Sequence, residues 1–411
     1  MLRFLFLIPL SLLFCNVAFA QMENRGDKGI PIKEILDIFK KEDTATSFKP
    51  QKNKMLLVFP TFGHQPAYGY TFGLLSRYAF RKNKDRKYSS LTAGSIYSTK
   101  KQVLTYFQNN MYLHKGHFFL SGDWRYYIFS QPTFGLGSDI IPSNAATDFD
   151  LNNLQEPMNY DYIRFHQTIS CKIFPSVYVG TGIHIDGYTN IKDLNLDLAN
   201  GNTTFHYEYS KKHGFNDQKY YVNGFSMNLI YDTRDNMINT NKGLFVNLNY
   251  RFNPSLLKNK QASSTLLAET RYFIPLSKTN KQHVLGFWAY GQFLTSGQLP
   301  YLNLPAIGWD QNSRSGKGYT QGLIRGTHLA YFESEYRFPL FRNQMISGTV
   351  FANMTTASDA DRNLKLFQYF QPAAGVGLRI LLDKATLTNF IVNFGWGRDS
   401  KTFYFNDGEG F

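Results

Sequence analysis

The chain has 411 residues, of which 43% are hydrophobic and 17% aromatic, and carries a formal charge of +14. Past its N-terminus it has no run of the roughly eighteen apolar residues that a membrane helix needs, which excludes a helical membrane protein. The 37 Phe and 27 Tyr lie on short alternating segments, a pattern that argues against a soluble β-sandwich and for a transmembrane β-barrel with interfacial aromatic girdles.

At the start, Met1, Leu2 and Arg3 precede the apolar run 4–14, and Ala18-Phe19-Ala20 follows. This predicts a secretory leader over 1–20, cleaved after Ala20. Phe14 stands before Cys15, where a lipid-bearing cysteine needs a small residue, so a lipoprotein anchor is set aside. Loss of Arg3 with the leader lowers the charge by one, to +13. Export removes nucleic acid as a partner for that charge. Outer-membrane lipid and lipopolysaccharide, acidic polypeptide clients, periplasmic partner proteins or anionic solutes remain. Only Cys171 is left after cleavage, so no intramolecular disulfide is possible.

Residues 21–53 are polar except where Ile32, Ile35, Leu36 and Phe39 fall at helical spacing, predicting a short amphipathic periplasmic helix. An independent domain needs roughly fifty residues, more than this stretch offers. From residue 54 to 411 the chain reads as an all-β domain, a sixteen-stranded antiparallel transmembrane barrel. The predicted strands are 54–62, 68–81, 88–99, 101–113, 117–128, 160–174, 176–188 and 219–231, then 243–252, 264–275, 282–294, 327–338, 344–354, 367–382, 387–397 and 401–406. In 243–252, Leu244, Val246, Leu248, Tyr250 and Phe252 alternate with Asn247, Asn249 and Arg251, one face for lipid and one for a wet lumen. Every even-to-odd connection is short and the long ones, 129–159, 189–218, 295–326 and 355–366, follow odd strands. Strand 1 therefore runs outward, and Pro175, Pro275 and Pro339 fall at periplasmic turns.

After strand 8 comes Tyr231-Asp232-Thr233-Arg234-Asp235-Asn236, and Lys242-Gly243 opens strand 9. Asp232, Arg234 and Asp235 set opposite charges in a tight turn that ion pairing and Asx hydrogen bonds can fix. With the loop between strands 11 and 12, this segment resembles the BamA/TamA outer-membrane protein superfamily, the bacterial surface antigens, over essentially 54–411. The family turn passes through prolines to a Gly; here Met237 and Thr240 stand near the proline positions, and Gly243 is kept. In the family the loop folds back into the lumen with an Arg-Gly-aromatic motif. Two registers fit: Lys317-Gly318-Tyr319 in the motif position with Arg325 as a later basic residue, or Ile324-Arg325-Gly326 with Thr327 replacing the aromatic. The first spaces the motif better from Glu335-Tyr336-Arg337-Phe338-Pro339, which resembles the family's strand 12. The family's strand 13 Asp corresponds to Asn353, so both halves of the charge pair are softened, since Lys lacks the guanidinium fork. Glu333 and Glu335 alternate with Phe332 and are the expected lumenal acceptors, facing inward with Arg337.

No enzyme constellation is present: there is no Gly-x-Ser-x-Gly, and Ser315-Gly316-Lys317-Gly318 lacks the hydroxyl residue of a phosphate loop. Asp148, Asp150 and Asn152 lack the glycine and closing Glu of a calcium loop, and His114 with His117 has no further ligand nearby. No cofactor is expected. The terminal Phe411 is the aromatic ending that barrels present to their assembly machinery. The resemblance implies a barrel-only member, without the periplasmic POTRA modules, that assists insertion or translocation of polypeptide or lipid. The alternatives are a passive pore for anionic solutes, suited by Arg251, Arg337 and Arg379, and a scaffold docking a partner through the 32–39 helix.

Overall fold

The computed structural model describes residues 53–65, 69–82, 87–142, 149–341, 345–383 and 386–407. The leader, the 32–39 helix, Asp148 and Phe411 lie outside them. Sixteen strands follow one another in a single antiparallel sheet in strict chain order, the expected transmembrane barrel. They are β1 (Lys54–Gln65), β2 (Gly69–Phe80), β3 (Ser89–Ser98), β4 (Val103–Leu113), β5 (Phe118–Thr133), β6 (Glu156–Phe174), β7 (Val177–Asp193) and β8 (Tyr220–Asp232). Then come β9 (Gly243–Asn253), β10 (Ser263–Pro275), β11 (Val284–Gly297), β12 (His328–Pro339), β13 (Ile346–Ala357), β14 (Gln371–Asp383), β15 (Thr388–Gly397) and β16 (Ser400–Asp407).

Period-2 polarity sets which way each strand faces. In β8, Val222, Ser226, Asn228 and Ile230 point inward and are buried, while Phe225, Met227, Leu229 and Tyr231 point outward. The outward set is exposed to water only in the isolated chain; lipid covers it in a bilayer. Strands β5, β6 and β7 have 16, 19 and 17 residues, well beyond the about nine to eleven that span a bilayer. They exceed the predicted 117–128, 160–174 and 176–188 because pairing continues outside the membrane. Where they project, Pro132 faces Pro157, so neither missing N–H interrupts a bond the partner needs.

One predicted strand start fails. Residues 367–370 lie in the loop before β14, because Phe367 takes φ +67, which no strand accommodates, and its N–H bonds Thr356 Oγ1 at 3.0 Å. The 189–218 connection contains a helix that alternation did not reveal, α1 (Phe205–His213), capped by Thr204 and ended by Gly214 at φ +70.

Ladders run from β1–β2 through to β15–β16, and among the described residues none joins β16 back to β1. At the periplasmic end Met55 of β1 reaches the turn before β15, its Sδ accepting from Thr386 Oγ1 at 3.0 Å. Outward rings knit β16 to β15: Phe394 packs against Phe403 with centroids 4.6 Å apart, and Phe390 stacks on Phe405 at 5.8 Å.

Candidate functional site

The charged segment after β8 is a folded-in plug rather than a bare hairpin turn. Arg234 donates through Nε to Asp232 Oδ1 at 3.0 Å, and its backbone N–H meets the same oxygen at 3.1 Å, the expected Asx contact. Asp235 Oδ1 accepts the N–H groups of Asn241 and Lys242 at 3.0 and 3.2 Å, closing the base of the segment. Gly243 takes φ +120, and a Cβ there would lie 2.6 Å from Thr233 O, so the glycine is needed. Asp232 also takes Tyr112 OH at 2.6 Å and Lys87 Nζ at 3.1 Å. Burial pulls the Lys87 ammonium below its ordinary range, although Asp232 opposes it. Between these closing contacts Ile238, Asn239 and Thr240 are buried in the lumen.

From the other side the 298–327 loop folds inward, and its tip places Lys317 between two carboxylates of β12. Lys317 Nζ lies 2.6 Å from Glu333 Oε1 and 3.3 Å from Glu335 Oε2, and 4.9 Å above the Phe351 ring. Glu335 also receives Arg337 Nε at 2.6 Å and Arg379 Nη1 at 3.3 Å. Asn353, directly across from Glu333, donates to Lys317 O at 2.9 Å, so it holds the loop backbone rather than its charge. Arg337 then donates to Thr240 O at 3.1 Å, and Arg379 to Asn239 Oδ1 at 3.1 Å. A polar column thus links the outer loop, the barrel wall and the periplasmic plug. Asn239, Thr240 and Arg379 were not predicted as members, and a backbone carbonyl leaves no sequence signal.

The loop tip also grips the last strands. Gly318 donates to Thr402 Oγ1 of β16 at 3.0 Å, and Tyr404 OH of β16 donates to Tyr319 O at 2.9 Å. Tyr319 OH reaches Pro372 O of β14 at 2.6 Å. Gly395 and Gly397 make the room: a Cβ would come within 2.7 Å of Gly318 N at the first and 2.5 Å of the Tyr319 ring at the second.

Arg325 does different work. Its Nη1 donates to the carbonyls of Tyr301, Leu302 and Leu304 at 3.2, 3.0 and 3.2 Å, and its guanidinium sits 5.3 Å from the Tyr301 ring centroid. It therefore clamps the loop on itself, and Gly326 N–H bonds Pro305 O at 3.0 Å in the same turn. The 129–159 connection joins this plug: Gly137 N–H bonds Arg325 O at 2.7 Å, and Gly135 O takes Tyr301 OH at 3.1 Å. Tyr209 of α1 donates to Leu299 O at 3.0 Å, docking the helix on the same mass.

Among the described residues no group of three His, Cys, Asp or Glu is placed to hold a metal. Asp150 caps a turn through the Asn152 N–H at 2.9 Å, and His117 Nδ1 faces His114 O at 2.8 Å, both local structural roles. Of the arginines expected in an open lumen, Arg337 and Arg379 are locked in the column and Arg251 pairs with Asp186 at 2.8 Å.

No curated protein matches the sequence. Among solved structures, the chain is similar to BamA from Haemophilus ducreyi lacking POTRA domains 1–3, at 11% identity and a TM-score of 0.55, over 88% of this chain and 71% of that one. It is also similar to CdiB from Escherichia coli, at 10% identity and a TM-score of 0.54, over 87% of this chain and 63% of that one. CdiB from Acinetobacter baumannii matches at 12% identity and 0.51, over 86% of this chain and 59% of that one. These likenesses establish the fold. The Omp85 superfamily domain model matches residues 185–411, from β7 to the end and including both plugs and the Lys317 column. That is more than half of the chain, and the protein is an outer-membrane β-barrel that belongs to the Omp85 superfamily.

Proposed function

We propose that this barrel assists the insertion or translocation of polypeptide at the outer membrane, working at the β1–β16 edge with the Lys317 loop tip as its latch. One observation carries the reading. Strand β16 has no described ladder to β1, yet Thr402 and Tyr404 tie it to the loop tip from inside. An edge without a ladder opens at lower cost than a fully paired one, and unpaired strand edges template the pairing of another chain. Superfamily membership supports a polypeptide client over a small solute. The basic charge suits lipopolysaccharide head groups at the rim. A passive anion pore fits less well, because inward-folded loops occupy the lumen and its three expected arginines, Arg251, Arg337 and Arg379, are paired with carboxylates. The test is depletion in the native host with quantitative analysis of outer-membrane and secreted proteins. The reading expects a fall in at least one barrel or exported protein, restored by the native chain and restored poorly by Lys317→Ala. An unchanged profile would contradict it.

A further inference from the structure

The outer end of β8 overruns its neighbour. Its ladder with β9 stops at Phe225, opposite Phe252, so residues 220–224 present a backbone edge to the connection 254–262. Asn259 of that connection takes up the edge: its Oδ1 accepts the Asn223 N–H at 2.7 Å, and its Nδ2 donates to Asn223 O at 2.8 Å and Pro254 O at 2.6 Å. Asn223 Nδ2 in turn donates to Leu257 O at 2.7 Å. The connection is thereby fixed against β8, and a cleft of about 240 Å³ opens beside it at the outer rim.

The cleft combines two chemistries. Phe215, Tyr220, Leu299 and Pro300 line it from below and are buried, whereas Lys219, Lys258 and Lys260 stand exposed around it. No carboxylate lines it, and among the described residues none of these three lysines pairs with one; Asp217, two residues from Lys219, goes to Lys211 at 3.7 Å. Gln261 also lines the cleft, and its Nε2 is shut from solvent with no acceptor among the described residues. A buried donor of that kind calls for an oxygen. On the outer wall just beneath, Tyr221, Phe225, Tyr250 and Phe252 face lipid, and Leu256 is 91% exposed at the head of the connection. The lysines therefore stand at the depth where acyl chains give way to head groups.

We propose that this cleft binds the phosphorylated sugar head group of an outer-leaflet glycolipid. The apolar floor takes the ring, the three ammonium groups take the phosphate as point charges, and the carboxamide donor meets a sugar or phosphate oxygen. The inference rests on the lipid contact of the preceding reading and not on the β1–β16 edge, so the depletion experiment above and the binding experiment here fail separately.

The test titrates the purified full chain in neutral detergent with lipid A, a phosphorylated disaccharide lipid, and compares phosphatidylglycerol and soluble glucosamine 1-phosphate, with affinities read by microscale thermophoresis. Lipid A is expected to bind about tenfold tighter than either comparator. Lys258→Gln with Lys260→Gln is expected to weaken lipid A binding about tenfold, whereas Lys242→Gln with Lys278→Gln, the same loss of charge at periplasmic turns, should leave it within about twofold. The comparison of lipids on the native chain stands alone if the first double variant fails to fold. Equal binding of lipid A and phosphatidylglycerol would reduce the cleft to a charged surface and overturn the proposal. Equal losses in the two double variants would do the same. Glucosamine 1-phosphate binding as tightly as lipid A would overturn the lipid-borne source.

Discussion

Lys317 shows what a softened motif does. A guanidinium binds one carboxylate with two parallel bonds, whereas the compact ammonium bridges two carboxylates, Glu333 and Glu335, with one contact each. All three side chains are buried, so removing the cation strips the ion pair from Glu333 out of water, beside a Glu335 that keeps Arg337 and Arg379. Lys317→Ala is expected to cost about 3–5 kcal/mol, read as a lower temperature of conversion from the folded to the unfolded band in heat-modifiability gels, with Lys317→Arg keeping most of the stability. Arg325→Ala should act elsewhere. It strips the donor from three buried carbonyls of the loop, so protease nicking within 298–327 should rise while barrel conversion moves less than for Lys317→Ala. The charges of β12 were legible in the sequence because alternation alone turns Glu333, Glu335 and Arg337 inward. Their partner Thr240 was not, because it contributes a backbone carbonyl from a segment that reads as a simple turn.

The same contrast holds between strands and connections. Strand order and number followed from period-2 polarity and loop parity, since lipid on one face and lumen on the other constrain every second residue. Connections carry no such constraint, so α1 and the inward fold of 233–242 were missed. Two local signals existed for α1, the Thr204 cap and Gly214. For the plug the signal was Gly243, whose positive φ lets the chain re-enter β9 beneath Thr233. Gly243→Ala is expected to destabilise by about 1–3 kcal/mol, because the methyl group meets the backbone of Thr233 and Arg234 and the conformation is strained for any L-residue. Equilibrium unfolding in urea with reconstituted protein measures it, and a change within error would mean the plug is not anchored at that glycine.

Taken together, the sheet supplies a barrel whose interior is filled from both ends and joined through Glu335. The 129–159 and 189–218 connections pack on the 298–327 loop around Arg325 and Tyr301, Arg362 of the loop before β14 pairs with Asp139, the periplasmic segment rises to meet Arg337, and much of the basic charge is drawn into ion pairs around the lumen. On the proposed reading such a molecule keeps its high positive charge without conducting anions, and it opens at the edge between first and last strands, which has no ladder among the described residues. Conductance of the purified chain in planar bilayers tests this most directly. Small, flickering currents are predicted for the native protein, rising when Lys317 is replaced by Ala. Large, steady, anion-selective currents from the native protein would contradict the account.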